Sequence, residues 1–174
     1  MSNEHRTNWD RITALTSIAI ALLALRVSIW QGVVTRTHNR LSVMPDLSFE
    51  LSYDPEGMSG LHLYNHGFGP ARIKRISAQL DGDTLPSNSF VRSIALALRA
   101  AEPQIVSSAR IHERYLFDGD VVTPNDDVIL LGLPAGTMVA DPRGAYRSFF
   151  VGRVKVVVEY CSFYGDCALA KYPQ

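Results

Sequence analysis

Residues 12–34 constrain this chain more than any other stretch. ITALTSIAIALLALRVSIWQGVV carries one charge, Arg26, in a run that is otherwise uncharged and mostly apolar or small. At a rise of about 1.5 Å per residue it makes a helix of roughly 35 Å, enough to cross a hydrocarbon core of about 30 Å. Trp9 and Trp30 bracket it as interfacial aromatics do. The competing reading is a cleavable signal peptide, with Arg6 and Arg11 of the polar flank 1–11 as its positive region. Against it, the run resumes after Arg26 with Val27, Ile29, Trp30, Val33 and Val34 instead of ending at a small-x-small site. The expectation is an uncleaved single-pass anchor over 12–34, a juxtamembrane linker over 35–45 and a folded domain over 46–174.

Two features of the anchor bear on partners. Ser17, Ala21, Ala24, Ser28 and Gly32 recur at three- or four-residue spacing and line one helix face, which lets two transmembrane backbones approach closely. Arg26 lies in the C-terminal half, where it either snorkels to the headgroups or pairs with an acidic group on a partner helix. The expected partners are the lipid bilayer and a protein, or a second copy of the chain, meeting this face.

Charge divides unevenly about the anchor. The chain is formally neutral, yet residues 1–40 hold five arginines against Glu4 and Asp10, so the remainder is net acidic. A slightly acidic domain is a poor nucleic-acid binder, and no nucleic-acid partner is expected. Arg26, Arg36 and Arg40 on the C-terminal side lean toward a cytoplasmic domain by the positive-inside rule.

The cysteines pull the other way. Cys161 and Cys167 in YCSFYGDC flank a five-residue turn, close enough to bridge if the segment is a β-hairpin. Such a bond persists outside the cytoplasm and is rare inside it. The alternative is two unpaired, half-buried thiols.

After the anchor, TRTHNRLSVM is expected to leave the membrane and fray before Pro45. LSFELSY alternates Leu47, Phe49, Leu51 and Tyr53 against Ser48, Glu50 and Ser52, the period of a half-buried strand. DPEGMSG reads as a turn. Two strands follow, broken at Asn65-His66-Gly67-Phe68-Gly69-Pro70, and Ile73 with Ile76 requires a bulge near Lys74 and Arg75. Residues 87–101 switch to helical spacing, with Phe90, Ile94, Ala97, Leu98 and Ala101 on one side and Ser87 or Ser89 as cap. IHERYLF and Val128 to Leu133 read as strands, AGTMVADPRGAY as loop. FFVGRVKVVVEY, turned back on itself by Phe163-Tyr164-Gly165-Asp166, is the strongest β signal.

HNRLSVMP after the anchor, LYNHGFGPARI in the first hairpin and YCSFYGDC near the end together resemble an uncharacterised group of small bacterial proteins. That resemblance implies an N-terminal transmembrane helix carrying a β-rich, sandwich-like domain, and it brings no activity. The N-x-G-x-G-P-A segment is also similar to a turn of extracellular immunoglobulin-like modules. The expected fold class is therefore mainly β: a transmembrane helix, then an immunoglobulin-like β-sandwich with one short helix.

Chemistry is sparse in the sequence. His62 and His66 flank Tyr64 without a third metal ligand nearby. Gly67-Phe68-Gly69-Pro70 lacks the rest of a phosphate cradle, and neither Asp118-Gly119-Asp120 nor Asp126-Asp127 resembles a calcium loop. No nucleophile elbow is present. The expectation is a bacterial inner-membrane protein with a periplasmic domain that binds and does not catalyse, with no cofactor and no metal. Tyr64, His66, Phe68, Phe163 and Tyr164 are its interaction candidates. A cytoplasm-facing accessory subunit or sensor, signalling through the transmembrane helix, is the alternative. A tethered hydrolase would instead gather His112, Glu113 and an aspartate from 118–127.

Overall fold

The apolar run belongs to one continuous helix, α1 (Asn3–Leu41), in the computed structural model, which describes residues 3–54, 57–103, 111–134 and 142–173. By length and composition α1 is long and apolar enough to cross a membrane. Every residue from 9 to 41 is exposed, including Leu15, Ile20, Leu22 and Trp30. The helix does not fray at Thr35. TRTHNRL contains no breaker, Ser42 N–H donates to the His38 carbonyl at 2.9 Å, and His38 and Arg40 suit the negative end of the helix dipole.

The chain divides into two compact units, Met1–Ser42 and Val43–Gln174. In the second, nine strands lie among the described residues: β1 (Leu47–Ser52), β2 (Ser59–Asn65), β3 (Ala71–Leu80), β4 (Asp83–Leu85), β5 (His112–Glu113), β6 (Val121–Val122), β7 (Asp127–Leu133), β8 (Val154–Cys161) and β9 (Cys167–Tyr172). They form two antiparallel sheets. One runs β1-β2-β7-β5; the other runs β4-β3-β8-β9, with β6 also on β3. Both sheets contribute to one buried cluster, Leu61, Leu63, Val128 and Leu130 from the first and Ile73, Val154, Val156 and Val158 from the second.

The period of two places these residues as expected. In β8, Val154, Val156, Val158 and Tyr160 are buried, while Lys155 is exposed and Val157 and Glu159 are half-buried. The register of β3 on β8 shifts between Ile73 and Arg75, which turns both Ile73 and Ile76 inward. β8 and β9 form the expected hairpin, pairing Cys161 with Cys167.

Four expectations are corrected. The strands on either side of Asn65 to Pro70 form no hairpin: β2 pairs with β1 and β7, whereas β3 lies in the other sheet. The linking segment packs so closely that a Cβ on Gly67 would meet the backbone of Met44 to Asp46, and one on Gly69 the Val43 carbonyl. Among the described residues the domain has two helices, α2 (Phe90–Ala101) and α3 (Pro142–Arg153), where one was expected, so the chain as a whole is mixed and not mainly β. Residues 149–153 were expected in a strand, yet Tyr146, Phe149 and Phe150 lie on the buried side of α3, where one aromatic stripe favours a helix. The strand IHERYLF shrinks to His112 and Glu113.

α2 buries Phe90, Val91, Ile94, Ala95 and Leu98 against β3 of one sheet and β7 of the other; Ala101 stays exposed. Ser89 holds the N-cap position without a side-chain cap bond. The expected turn at 55–56 and the first part of the AGTMVADPRGAY loop, 135–141, lie outside the described residues, as do residues 1 and 2 of the polar flank.

Candidate functional site

On β2 the leucines Leu61 and Leu63 point into the core, so His62 and Tyr64 point to the opposite face of the sheet. There three adjacent strands converge. Ser52, the last residue of β1, places its Oγ 2.7 Å from His62 Nε2. On the other side, Asp127 at the start of β7 places Oδ1 and Oδ2 at 2.8 and 3.0 Å from His62 Nδ1. A register shift between Leu61 and His62 sets the histidine opposite Ile129, so that its ring reaches past to Asp127.

The hydrogen bonds fix the ring's protonation pattern. A carboxylate accepts only, so Nδ1 carries the proton that faces Asp127, and in the neutral ring Nε2 is left bare toward Ser52. In that form the Ser52 hydroxyl donates to Nε2, which is closer than the Met58 carbonyl at 3.4 Å. Gly60 N–H donates to the same Oγ at 3.3 Å. Burial, with the neighbouring Asp127 carboxylate behind it, pushes the Tyr64 hydroxyl above its ordinary value. The rings of His62, Tyr64 and His66 stack in a row, with centroids 5.7 and 5.6 Å apart. His62 is 5% exposed, and Ser52 is half-buried.

Ser52 also lines a cavity of about 470 Å³ along the free edge of β1. Phe49 to Tyr53 form one wall; Tyr146, Arg147 and Val151 of α3 and Tyr172 of β9 form the other. The hydroxyls of Tyr146 and Tyr172 are buried and have no hydrogen-bond partner among the described residues. Burial pushes both phenols up, Tyr172 to about 12 and Tyr146 further.

The interaction candidates separate into two places. Tyr64 is half-buried in the network and His66 stacks on it, whereas Phe68 on the crossover is 83% exposed. Phe163 and Tyr164 form the exposed tip of the β8–β9 hairpin. Cys161 and Cys167 are joined by a disulfide at its base, with Cα atoms 4.0 Å apart. On α1, Ser17, Ala21, Ala24, Arg26 and Ser28 are exposed; Ser17 and Ser28 donate back to the Thr13 and Ala24 carbonyls.

The hydrolytic set expected from the sequence does not converge. His112 and Glu113 are exposed on β5, beside residues 131–132 of β7 and therefore at the far end of that strand from Asp127. Glu113 accepts from Tyr115, and Asp120 caps Phe117 N–H. Sequence reasoning missed Ser52 and Asp127 because only the order β1-β2-β7 brings them to His62. The available signal was alternation: Ser52 and His62 are among the polar positions that alternate with core residues along β1 and β2. Comparison of the chain with protein-family models, with curated proteins and with solved structures found no match.

Proposed function

We propose that this protein is a single-pass, membrane-anchored β-sandwich module of the bacterial envelope, its domain in the periplasm, acting by binding a protein partner. The observation that carries this reading is the disulfide closing an exposed aromatic hairpin tip. A bond of that kind persists in an oxidising compartment, which outweighs the weak arginine bias toward the cytoplasm. An apolar helix with no buried residue over 9–41 supports insertion in lipid, since such a surface is costly in water. Two sheets sharing one core support the sandwich description. Phe68, Phe163 and Tyr164 offer large apolar contact area on loops, where recognition surfaces concentrate. The small-residue face of α1 suits pairing with a second helix, because its serine hydroxyls are already satisfied within the helix.

The test is thiol labelling of intact cells with a membrane-impermeant reagent, before and after reduction. Labelling of Cys161 and Cys167 only after reduction supports the periplasmic reading. Labelling that needs cell breakage and no reductant overturns it in favour of a cytoplasm-facing accessory subunit or sensor. A photo-crosslinking side chain placed at Phe163, with one at Lys155 as control, then tests binding: a discrete crosslinked species at Phe163 alone is expected.

A further inference from the structure

We propose that Ser52 is an acyl-accepting nucleophile and that the domain hydrolyses small carboxylic esters seated in the β1-edge cavity. The constellation has the geometry that nucleophilic catalysis needs. A hydroxyl lies within hydrogen-bond reach of a base, and the base is oriented by a third group. Here the three come from adjacent strands of one sheet, so backbone pairing holds them in place. The geometry also suits the productive tautomer: with Nδ1–H on Asp127, the neutral ring turns a lone pair on Nε2 toward Ser52 Oγ at 2.7 Å. Ser52 is half-buried and lines a cavity whose size suits a small molecule. Tyr146 and Tyr172 supply ring surface to the opposite wall of that cavity, their hydroxyls being buried.

The step balances as follows. Ser52 Oγ attacks the ester carbonyl carbon while its proton passes to His62 Nε2, and the carbonyl π electrons move to oxygen. Collapse of the tetrahedral adduct breaks the bond to the alkoxy oxygen, which leaves as alcohol with the proton from Nε2. Water then attacks the Ser52 ester, giving its proton to Nε2, and Oγ departs and recovers that proton. The net reaction is ester plus water to acid plus alcohol. Asp127 is a positioning residue: it holds the tautomer and stabilises the imidazolium formed in each half. Gly60 N–H, donating to Oγ at 3.3 Å, helps hold the hydroxyl in place against His62.

The experiment uses the full chain in detergent micelles and a fluorophosphonate–biotin probe, whose phosphorus bonds to Oγ as fluoride leaves. Covalent labelling that maps to Ser52 by peptide mass is expected. Ser52→Ala should abolish it and Ser48→Ala, on the same strand, should retain it. Asp127→Asn should slow it by about a hundredfold or more and change its pH profile; Glu50, Tyr64 and Asp127 are the titratable groups around His62. The wild-type label needs no variant to be read, so a poorly folded Ser52→Ala does not blunt the test. No label on folded protein, a label at another residue, or a rate untouched by Asp127→Asn overturns the proposal and leaves the three residues a structural hydrogen-bond network. Failure here leaves the topology result intact.

Discussion

The Asn65 side-chain amide donates to the Val122 carbonyl at 3.0 Å, tying the end of β2 in one sheet to β6 in the other. Its Nδ2 also donates to the Gly69 carbonyl, and its Oδ1 accepts from the N–H groups of Asp46 and Gly67. The residue is 1% exposed, so none of these groups has water to fall back on. Asn65→Leu keeps the approximate volume and strands all four backbone groups. A loss of about 3 kcal/mol is expected, read from the urea midpoint of the full chain in detergent. A loss below about 1 kcal/mol would show that the crossover is held by something else.

Two glycines should respond in opposite senses to alanine. At Gly69 the new Cβ falls on the Val43 carbonyl, a backbone atom that cannot swing aside. Gly69→Ala should cost about 1–3 kcal/mol. Gly152 in α3 has open space around its Cβ position, so Gly152→Ala should gain up to about 1 kcal/mol through helix propensity. Thermal melts of the two variants give the comparison directly.

Alkaline stability should hinge on Tyr146 and Tyr172. Unfolded phenols ionise near 10.0, whereas the folded Tyr172 is pushed up to about 12 by burial, with Tyr146 beyond it. The folded state therefore binds these protons more tightly. Their contribution is complete below pH 10 and falls as pH rises toward 12. Tyr146→Phe removes one such group together with an unpartnered hydroxyl. It should leave neutral-pH stability within about 1 kcal/mol of wild type and raise the alkaline midpoint, followed by near-ultraviolet circular dichroism.

Replacing Cys161 and Cys167 with serine opens a loop closed over a separation of six residues. Chain entropy sets the expected loss at about 2 kcal/mol. Wild-type protein in excess reductant should show the same urea midpoint as the double variant. A variant that keeps wild-type stability would mean that β8–β9 pairing alone fixes the tip.

Ser17→Leu, Ala21→Leu and Ala24→Leu together should lower self-association in a membrane-based dimerisation reporter, because leucine keeps the two backbones apart. Leu22→Ile, on the opposite face of the helix, is the matched control. Unchanged association in the triple variant would remove this face as an interface.

How far the sequence reveals the fold depends on whether a signal is local. Val154 to Tyr160 alternate strictly, the hairpin tip carries its own turn residues, and Ile73 with Ile76 breaks the period of two; all three are visible in a short window. α3 is visible too, through Tyr146, Phe149 and Phe150 at helical spacing, but the neighbouring valines of β8 mask it. The partition of β2 and β3 between sheets is a different matter. It depends on how closely Gly67 and Gly69 approach Val43 to Asp46, a contact between segments that no local window contains. The Ser52, His62 and Asp127 network is less visible still, since β1-β2-β7 pairing creates it across 65 residues of chain between His62 and Asp127.

The exposed edge of the first sheet has a bearing on crowding. Leu47 N–H, which faces away from β2, donates to Tyr160 Oη on the opposite sheet at 3.2 Å, so the beginning of that edge is stitched shut. Only Phe49 and Leu51 keep outward-facing amides, beside a cavity roofed by α3. A foreign strand would find too few consecutive backbone groups to zip onto. Copies of this domain that collide along the β1 edge are therefore not templated into a growing ribbon.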